Sequence, residues 1–200
     1  MGAQVRGAPL APGGTAKQVK PARPPQLAFF ETVPHNNADV WTPTADTLYM
    51  VPIPELSAPM SVAAINLWLD VGMSTANTCV SIYRQVQAAD GRRWRRLCRP
   101  VVKPVSDDGA ALYLFDRDVE LEVADTCCAV GVSVDGAGAN LFVAKSAIWT
   151  FKAQTLSAVG EHPEEARAIA SASTWRPSIG LLSRTALAIR GMVPSTGWRS

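Results

Sequence analysis

From Leu48 onward, hydrophobic and polar residues alternate along the chain with a period of two. Ile65, Leu67, Leu69 and Val71 are interleaved with Asn66, Trp68 and Asp70, and Val80, Ile82 and Val86 with Ser81, Tyr83 and Gln85. Successive side chains of an extended chain point to opposite faces, so this spacing predicts strands with one buried face. Arg84 interrupts the second inward series, which predicts a bulge or a strand that outruns its sheet. Asp90-Gly91 supplies the positive φ of a tight hairpin, and Arg93 to Val102 reads as the returning strand. Further strands are expected over 111–115, 119–123, 127–134 and 141–151. Asp107-Asp108-Gly109, Asp116-Arg117-Asp118 and Asp135-Gly136-Ala137-Gly138 separate them as turns. About eight short strands punctuated in this way predict an all-β fold, an antiparallel β-sandwich of jelly-roll type.

Two regions depart from the pattern. Residues 1–34 hold six of the 15 prolines and four of the 14 glycines, which forbids regular ladders and predicts an extended arm. Arg6, Lys17, Lys20 and Arg23 give the first 30 residues a charge of +4, while the other 170 carry 15 basic and 17 acidic residues. Those four cations mark the segment as an assembly arm. At the other end, His162–Ala170 predicts a short helix, with Pro163 in the first turn and Glu164 and Glu165 near its positive end. Residues 173–200 are rich in Ser, Pro and Arg and read as an irregular tail, with Thr185–Met192 as one further strand. The expected organisation is an arm over 1–40, a β-sandwich over 41–153, and a short helix with a C-terminal extension over 154–200.

Composition narrows the class. A length of 200 residues fits one domain, and 48% hydrophobic residues with six Trp are enough for a core, which argues against disorder. Fifteen Pro and 14 Gly argue against a coiled coil or helical bundle. No apolar run approaches the roughly 18–20 residues of a membrane span, because Asn66 and Asp70 interrupt Ser61–Val71. The first 25 residues lack the apolar stretch of a secretory signal, and Arg6 occupies the position where a myristoylation motif needs Ser or Thr. Cys79, Cys98, Cys127 and Cys128 form no Cys-x-x-Cys pair and only two His accompany them, so no metal and no cofactor is expected. Reduced, buried thiols fit assembly in a reducing cytosol.

The densest chemical feature is Arg92-Arg93-Trp94-Arg95-Arg96-Leu97-Cys98-Arg99. On a strand, Arg93, Arg95 and Arg99 share a face with Leu97, while Trp94, Arg96 and Cys98 take the other. The charge is thus divided between faces and the body is slightly acidic, which disfavours nucleic acid as a partner. Trp68 and Trp94 fall out of phase with the apolar face; with Arg93 and Arg95 they are candidates for a subunit interface or a glycan contact. Trp41 and Trp149 are expected to close the sandwich ends. His35 and His162 have no evident catalytic partners, and Gly-x-Ser-x-Gly, Ser-x-x-Lys and His-Glu-x-x-His are absent. Glu120 and Glu122 share a strand face at a spacing open to sugar hydrolysis, but read as the wet side of a sheet. Asp107, Asp108, Asp116 and Asp118 read as turn formers rather than an ordered calcium loop. No enzymatic activity is expected.

Three segments together carry a family likeness: Thr47-Leu48-Tyr49-Met50-Val51-Pro52, Ala64-Ile65-Asn66-Leu67-Trp68-Leu69-Asp70-Val71 and Cys79-Val80-Ser81-Ile82-Tyr83. They resemble β-sandwich modules of tailed-bacteriophage virion structural proteins such as tail and head fibres. Such modules carry a Tyr-x-x-Pro strand, a strand of alternating Ile/Val, a small-residue loop and a strand ending Ile-Tyr. Here Gly72-Met73-Ser74-Thr75-Ala76-Asn77 stands at the loop, and Cys127–Val134 with Asp135-Gly136-Ala137-Gly138 stands at the strand near the sandwich end. The likeness covers residues 47–145 and not the arm or the tail; Trp68, Cys79 and the arginine-rich hairpin depart from it. It implies a virion structural role with assembly in the host cytoplasm. The implied partners are other virion proteins, further copies of the chain in a homo-oligomer, and host surface glycans for a receptor-recognition module.

Overall fold

The computed structural model describes residues 29–31, 39–53, 56–70, 75–88, 91–105, 108–123, 128–136, 139–167 and 170–189. In chain order the strands are β1 Phe29–Glu31, β2 Val40–Trp41, β3 Thr47–Pro52, β4 Met60–Asp70, β5 Ala76–Ala88, β6 Gly91–Arg96 and β7 Val101–Val105. They continue as β8 Gly109–Leu121, β9 Cys128–Val134, β10 Asn140–Thr155, β11 Glu165–Ala166, β12 Ala170–Pro177 and β13 Ile179–Leu182, followed by helix α1, Arg184–Ile189. Every described pairing is antiparallel. The alternating pattern therefore led to the right class, an antiparallel β-sandwich.

β4 is the spine of the first sheet. β8 lies on one flank, from Met60↔Leu121 to Leu69↔Gly109. β13 shares the other flank, from Ile179↔Leu67 to Leu182↔Ala64, with the start of β10 at Asn140↔Asp70. β1 adds outside β13, and β2 outside β10. The second sheet runs β12, β10, β3, β9, β5, with β6 and β7 end to end along β5 and β11 on β6. β10 belongs to both sheets, and its register with β12 shifts between Lys145 and Thr150. A long strand that passes from one sheet into the other makes a corner of the sandwich.

Between the sheets sit Ile65, Leu67 and Leu69 of β4, Val80 and Ile82 of β5, Val130, Val132 and Val134 of β9, and Tyr113, Phe115 and Leu121 of β8. Tyr113 is wholly buried, yet its hydroxyl meets Thr78 Oγ1, which donates onward to the Lys103 carbonyl at 3.2 Å. That chain satisfies polar groups that would otherwise cost about 1–3 kcal/mol each. Both outer faces are also covered in part. Residues 156–167 cross the second sheet as a strap over Leu48, Met50, Tyr83, Trp94 and Ala129. Helix α1 sets Ala186 and Leu187 against Ala63, Ala64 and Leu182 of the first sheet. All seven residues of β9 are consequently buried, Gly131 and Ser133 included, although its sequence alternates.

Several expectations are corrected. The expected helix over His162–Ala170 is not seen in its described part: residues 162–167 run extended, and Glu165 and Ala166 pair with Arg95 and Trp94. The contacts of His162 and Ala166 with the second sheet outweigh a weak local helix preference. The expected strand over Thr185–Met192 is replaced in its described part by a helix, Arg184–Ile189, capped where the Ala186 N–H donates to Ser183 Oγ at 3.2 Å; 190–192 lie outside the described residues. Asp116-Arg117-Asp118 is no turn but part of a bulge within β8. Four residues, 115–118, stand opposite Ala63 alone, because Val62 pairs with Val119 and Ala64 with Leu114. The span 93–102 splits into β6 and β7 at Leu97–Pro100. Ala88 pairs with Gly91, so Gly91 opens β6, and Asp90 lies outside the described residues. Of the two readings of Arg84, no bulge is seen and the strand does run on: Arg84 is the last described residue of β5 to pair with β9, and β5 continues with β6 alone. The sheets take in Phe29–Glu31, Glu165–Ala166, Ala170–Pro177 and Ile179–Leu182, beyond the expected 41–153. Residues 1–28, with Arg6, Lys17, Lys20 and Arg23, lie outside the described residues, as do His35, Asp107 and Cys127.

Candidate functional site

The strap is fastened by a buried imidazole. Ser81 of β5 and Ser133 of β9 point outward from the second sheet, opposite in phase to the core valines, and His162 enters between them. Ser81 Oγ lies 2.6 Å from Nδ1 and Ser133 Oγ 2.8 Å from Nε2. Ser133 Oγ donates its single proton to the Val159 carbonyl at 2.8 Å, so it accepts from Nε2–H. Nδ1 is then the acceptor for Ser81, which fixes a neutral Nε2–H tautomer. Burial, aided by the nearby Arg96 guanidinium, pushes the imidazole from 6.5 down to about 3. Arg96 donates to the His162 carbonyl, and Tyr83 Oη to the Pro163 carbonyl at 2.8 Å.

A serine hydrogen-bonded to histidine is the beginning of a nucleophilic constellation, but this one is closed. Ser81 and Ser133 are fully buried and His162 is 2% exposed, so no substrate atom meets Ser81 Oγ. The thiols are equally withdrawn. Burial, then the neighbouring Cys98, pushes the Cys79 thiol up to about 12, and burial pushes Cys98 up to about 11. Both stay protonated, in the inert class of cysteine. Among the described residues no three His, Cys, Asp or Glu gather at one point. The arrangement acts as a polar lock that holds 156–167 across the sheet.

The open chemistry lies where three elements depart from regularity together. β6 stops at Arg96, and Leu97–Pro100 bow out before β7 begins, held where Leu97 N–H donates to the Ile82 carbonyl at 2.8 Å and Ile82 N–H donates to Cys98 Sγ at 3.3 Å. That interruption displays Arg99. The β8 bulge displays Arg117, and the strap brings Glu164 and Glu165, its Glu164 carbonyl accepting from Arg96 N–H at 2.8 Å. Arg95, Arg96, Arg99, Arg117, Glu164 and Glu165 thus line a groove of about 340 Å³ over Leu97 and Cys98. Glu165 accepts from Arg93 at 3.1 Å and Arg95 at 3.2 Å, and these guanidiniums hold its carboxyl below the usual range. A second cavity of about 340 Å³, lined by Arg93, Gln154, Glu165, Ala166 and Arg167, shares Glu165 with this groove.

Arg93 and Arg95 therefore fall on one exposed face of β6, as the alternation predicts, and are joined there by Glu165. Trp94 does not join them: it is 6% exposed, packed beneath the strap, so it offers neither a glycan platform nor an interface anchor. Trp68 is half-buried on β4. Trp41 packs on the core edge-to-face with Tyr49 at 4.7 Å, whereas the Trp149 side chain lies outside the described residues. Glu120 accepts from Ser61 at 2.7 Å, and Asp118 pairs with Arg184 of α1 at 2.7 Å. His162, Ser81 and Ser133 were not legible as a unit, because 81 positions separate His162 from Ser81 and the strap reads locally as a helix start. No described helix is long and apolar enough to cross a membrane. Comparison of the chain with protein-family models, curated proteins and solved structures finds no match.

Proposed function

We propose that the chain is a non-enzymatic structural component of a tailed-phage particle, with the sandwich as its folded body and its terminal segments as the parts that hold neighbouring chains. The observation that carries this reading is the pairing of β1 with β13, Phe29 opposite Leu182. β1, which follows residues 1–28, and β13, which leads into α1, are thereby neighbours in the first sheet. Residues 1–28 bring four cations and no acid, and 190–200 bring Arg190 and Arg199, while 29–189 hold 13 basic and 17 acidic residues. Basic ends and an acidic body are complementary between copies, which favours a homo-oligomer in which one chain's ends lie on its neighbour. A sealed Ser81–His162 pair and protonated thiols suit a scaffold. The likeness of residues 47–145 to virion β-sandwich modules supports the setting, with other virion proteins as further partners.

The test is a truncation that keeps β1. Residues 29–200 should melt at nearly the temperature of the full chain and fail to enter particles when supplied in place of it. Normal incorporation of the truncated chain would defeat the proposal.

A further inference from the structure

We propose that the groove between the Leu97–Pro100 interruption, the β8 bulge and the strap binds a small hydroxylated oxyanion, the chemistry of an acidic sugar. Its lining joins two kinds of group. Arg99 and Arg117 are exposed and have no ion-pair or hydrogen-bond partner for their guanidiniums among the described residues. Planar guanidinium forks match carboxylate, sulfate or phosphate oxygens two at a time. Glu164 and Glu165, on the same lining, present carboxylates that accept from hydroxyl groups. A volume of about 340 Å³ holds one such unit and lies at the low end of small-ligand cavities, roughly 300–1,000 Å³.

The same lining disfavours nucleic acid. The one aromatic of the arginine run, Trp94, is buried and cannot stack on a base. Two carboxylates stand within the groove, and the body as a whole carries 13 basic against 17 acidic residues, which repels an extended phosphate backbone. The floor and walls are held from beneath, by Leu97 and Cys98 on Ile82 and by Arg96 on the strap, so the guanidiniums start from a fixed frame. This inference stands apart from the assembly role of the chain ends.

The experiment is calorimetric titration of the full chain with glucuronate and glucose 6-phosphate, against glucose, inorganic phosphate and an oligothymidylate. Binding of either acidic sugar, weakened about tenfold by Arg99→Gln and by Arg117→Gln with unchanged melting temperature, is the expected result. The two sugars separate carboxylate from phosphate recognition. Glu164→Gln should narrow the margin over inorganic phosphate. The inference is overturned if neither sugar binds, if either arginine variant binds both as the wild type does, or if glucose or inorganic phosphate binds as tightly. Tighter binding of the oligothymidylate, lost in the same variants, would overturn it in favour of nucleic acid.

Discussion

The His162 lock makes stability depend on pH in a definite direction. In the unfolded chain the imidazole titrates near its ordinary 6.5, whereas in the fold it stays neutral down to about 3. Between those values the unfolded chain binds the extra proton, so its contribution to stability is complete above 6.5 and is lost progressively as pH falls toward 3. At about 1.36 kcal/mol per pK unit, moving from about pH 7 to about pH 5 removes about 2 kcal/mol through this one group. His162→Gln keeps a donor and an acceptor for the two serines but carries no titrating proton. Urea unfolding of both proteins at the two pH values isolates the imidazole, since changes from other groups are common to both. The wild type should lose about 2 kcal/mol more than the variant on acidification. Equal losses would show that the ring is not held neutral between Ser81 and Ser133, and the lock would be wrong.

Two glycines offer tests of packing and of backbone. A Cβ on Gly131 would stand 2.7 Å from Tyr83 Cε2, a buried ring tethered to the Pro163 carbonyl. Gly131→Ala should therefore destabilise the fold by about 1–3 kcal/mol in denaturant unfolding. Gly109 has φ near +115° but open space around it, so Gly109→Val should cost about 1–3 kcal/mol through the backbone alone. Glu165→Gln should leave the melting temperature nearly unchanged, because its partners Arg93 and Arg95 are solvent-accessible and such pairs contribute little.

The sandwich was legible because a buried inner face leaves a period of two that survives in any context. Ile65, Leu67, Leu69, Val80 and Ile82 are all inside. The covered outer faces were not legible. Ser81, Tyr83, Gly131 and Ser133 read as the wet side of their strands, and only a strap 23 or more residues further along buries them. His162-Pro163-Glu164-Glu165 carries helix-start signals, and they lose to the hydrogen bonds that Ser81, Tyr83, Arg93, Arg95, Arg96 and Ser133 of the second sheet make with these four residues. Arg184–Ile189 failed in the opposite sense, since Thr185, Leu187 and Ile189 alternate like a strand. The cap at Ser183 and the seat for Ala186 and Leu187 decide for helix, and Ile189 is left 79% exposed. For the candidate site, the split of the arginine run between faces followed from periodicity. The meeting of Arg99, Arg117 and Glu164 did not, because irregular backbone places all three.

The claim that this chain is built to hold its neighbours through its ends is most directly tested by amine cross-linking of intact particles. Lys17 and Lys20 are the only lysines before β1, and Lys103, Lys145 and Lys152 are the only ones after it. Cross-links joining Lys17 or Lys20 to another copy or another virion protein are the predicted result. Links confined to the same chain, or particles that lack the chain altogether, would contradict the account.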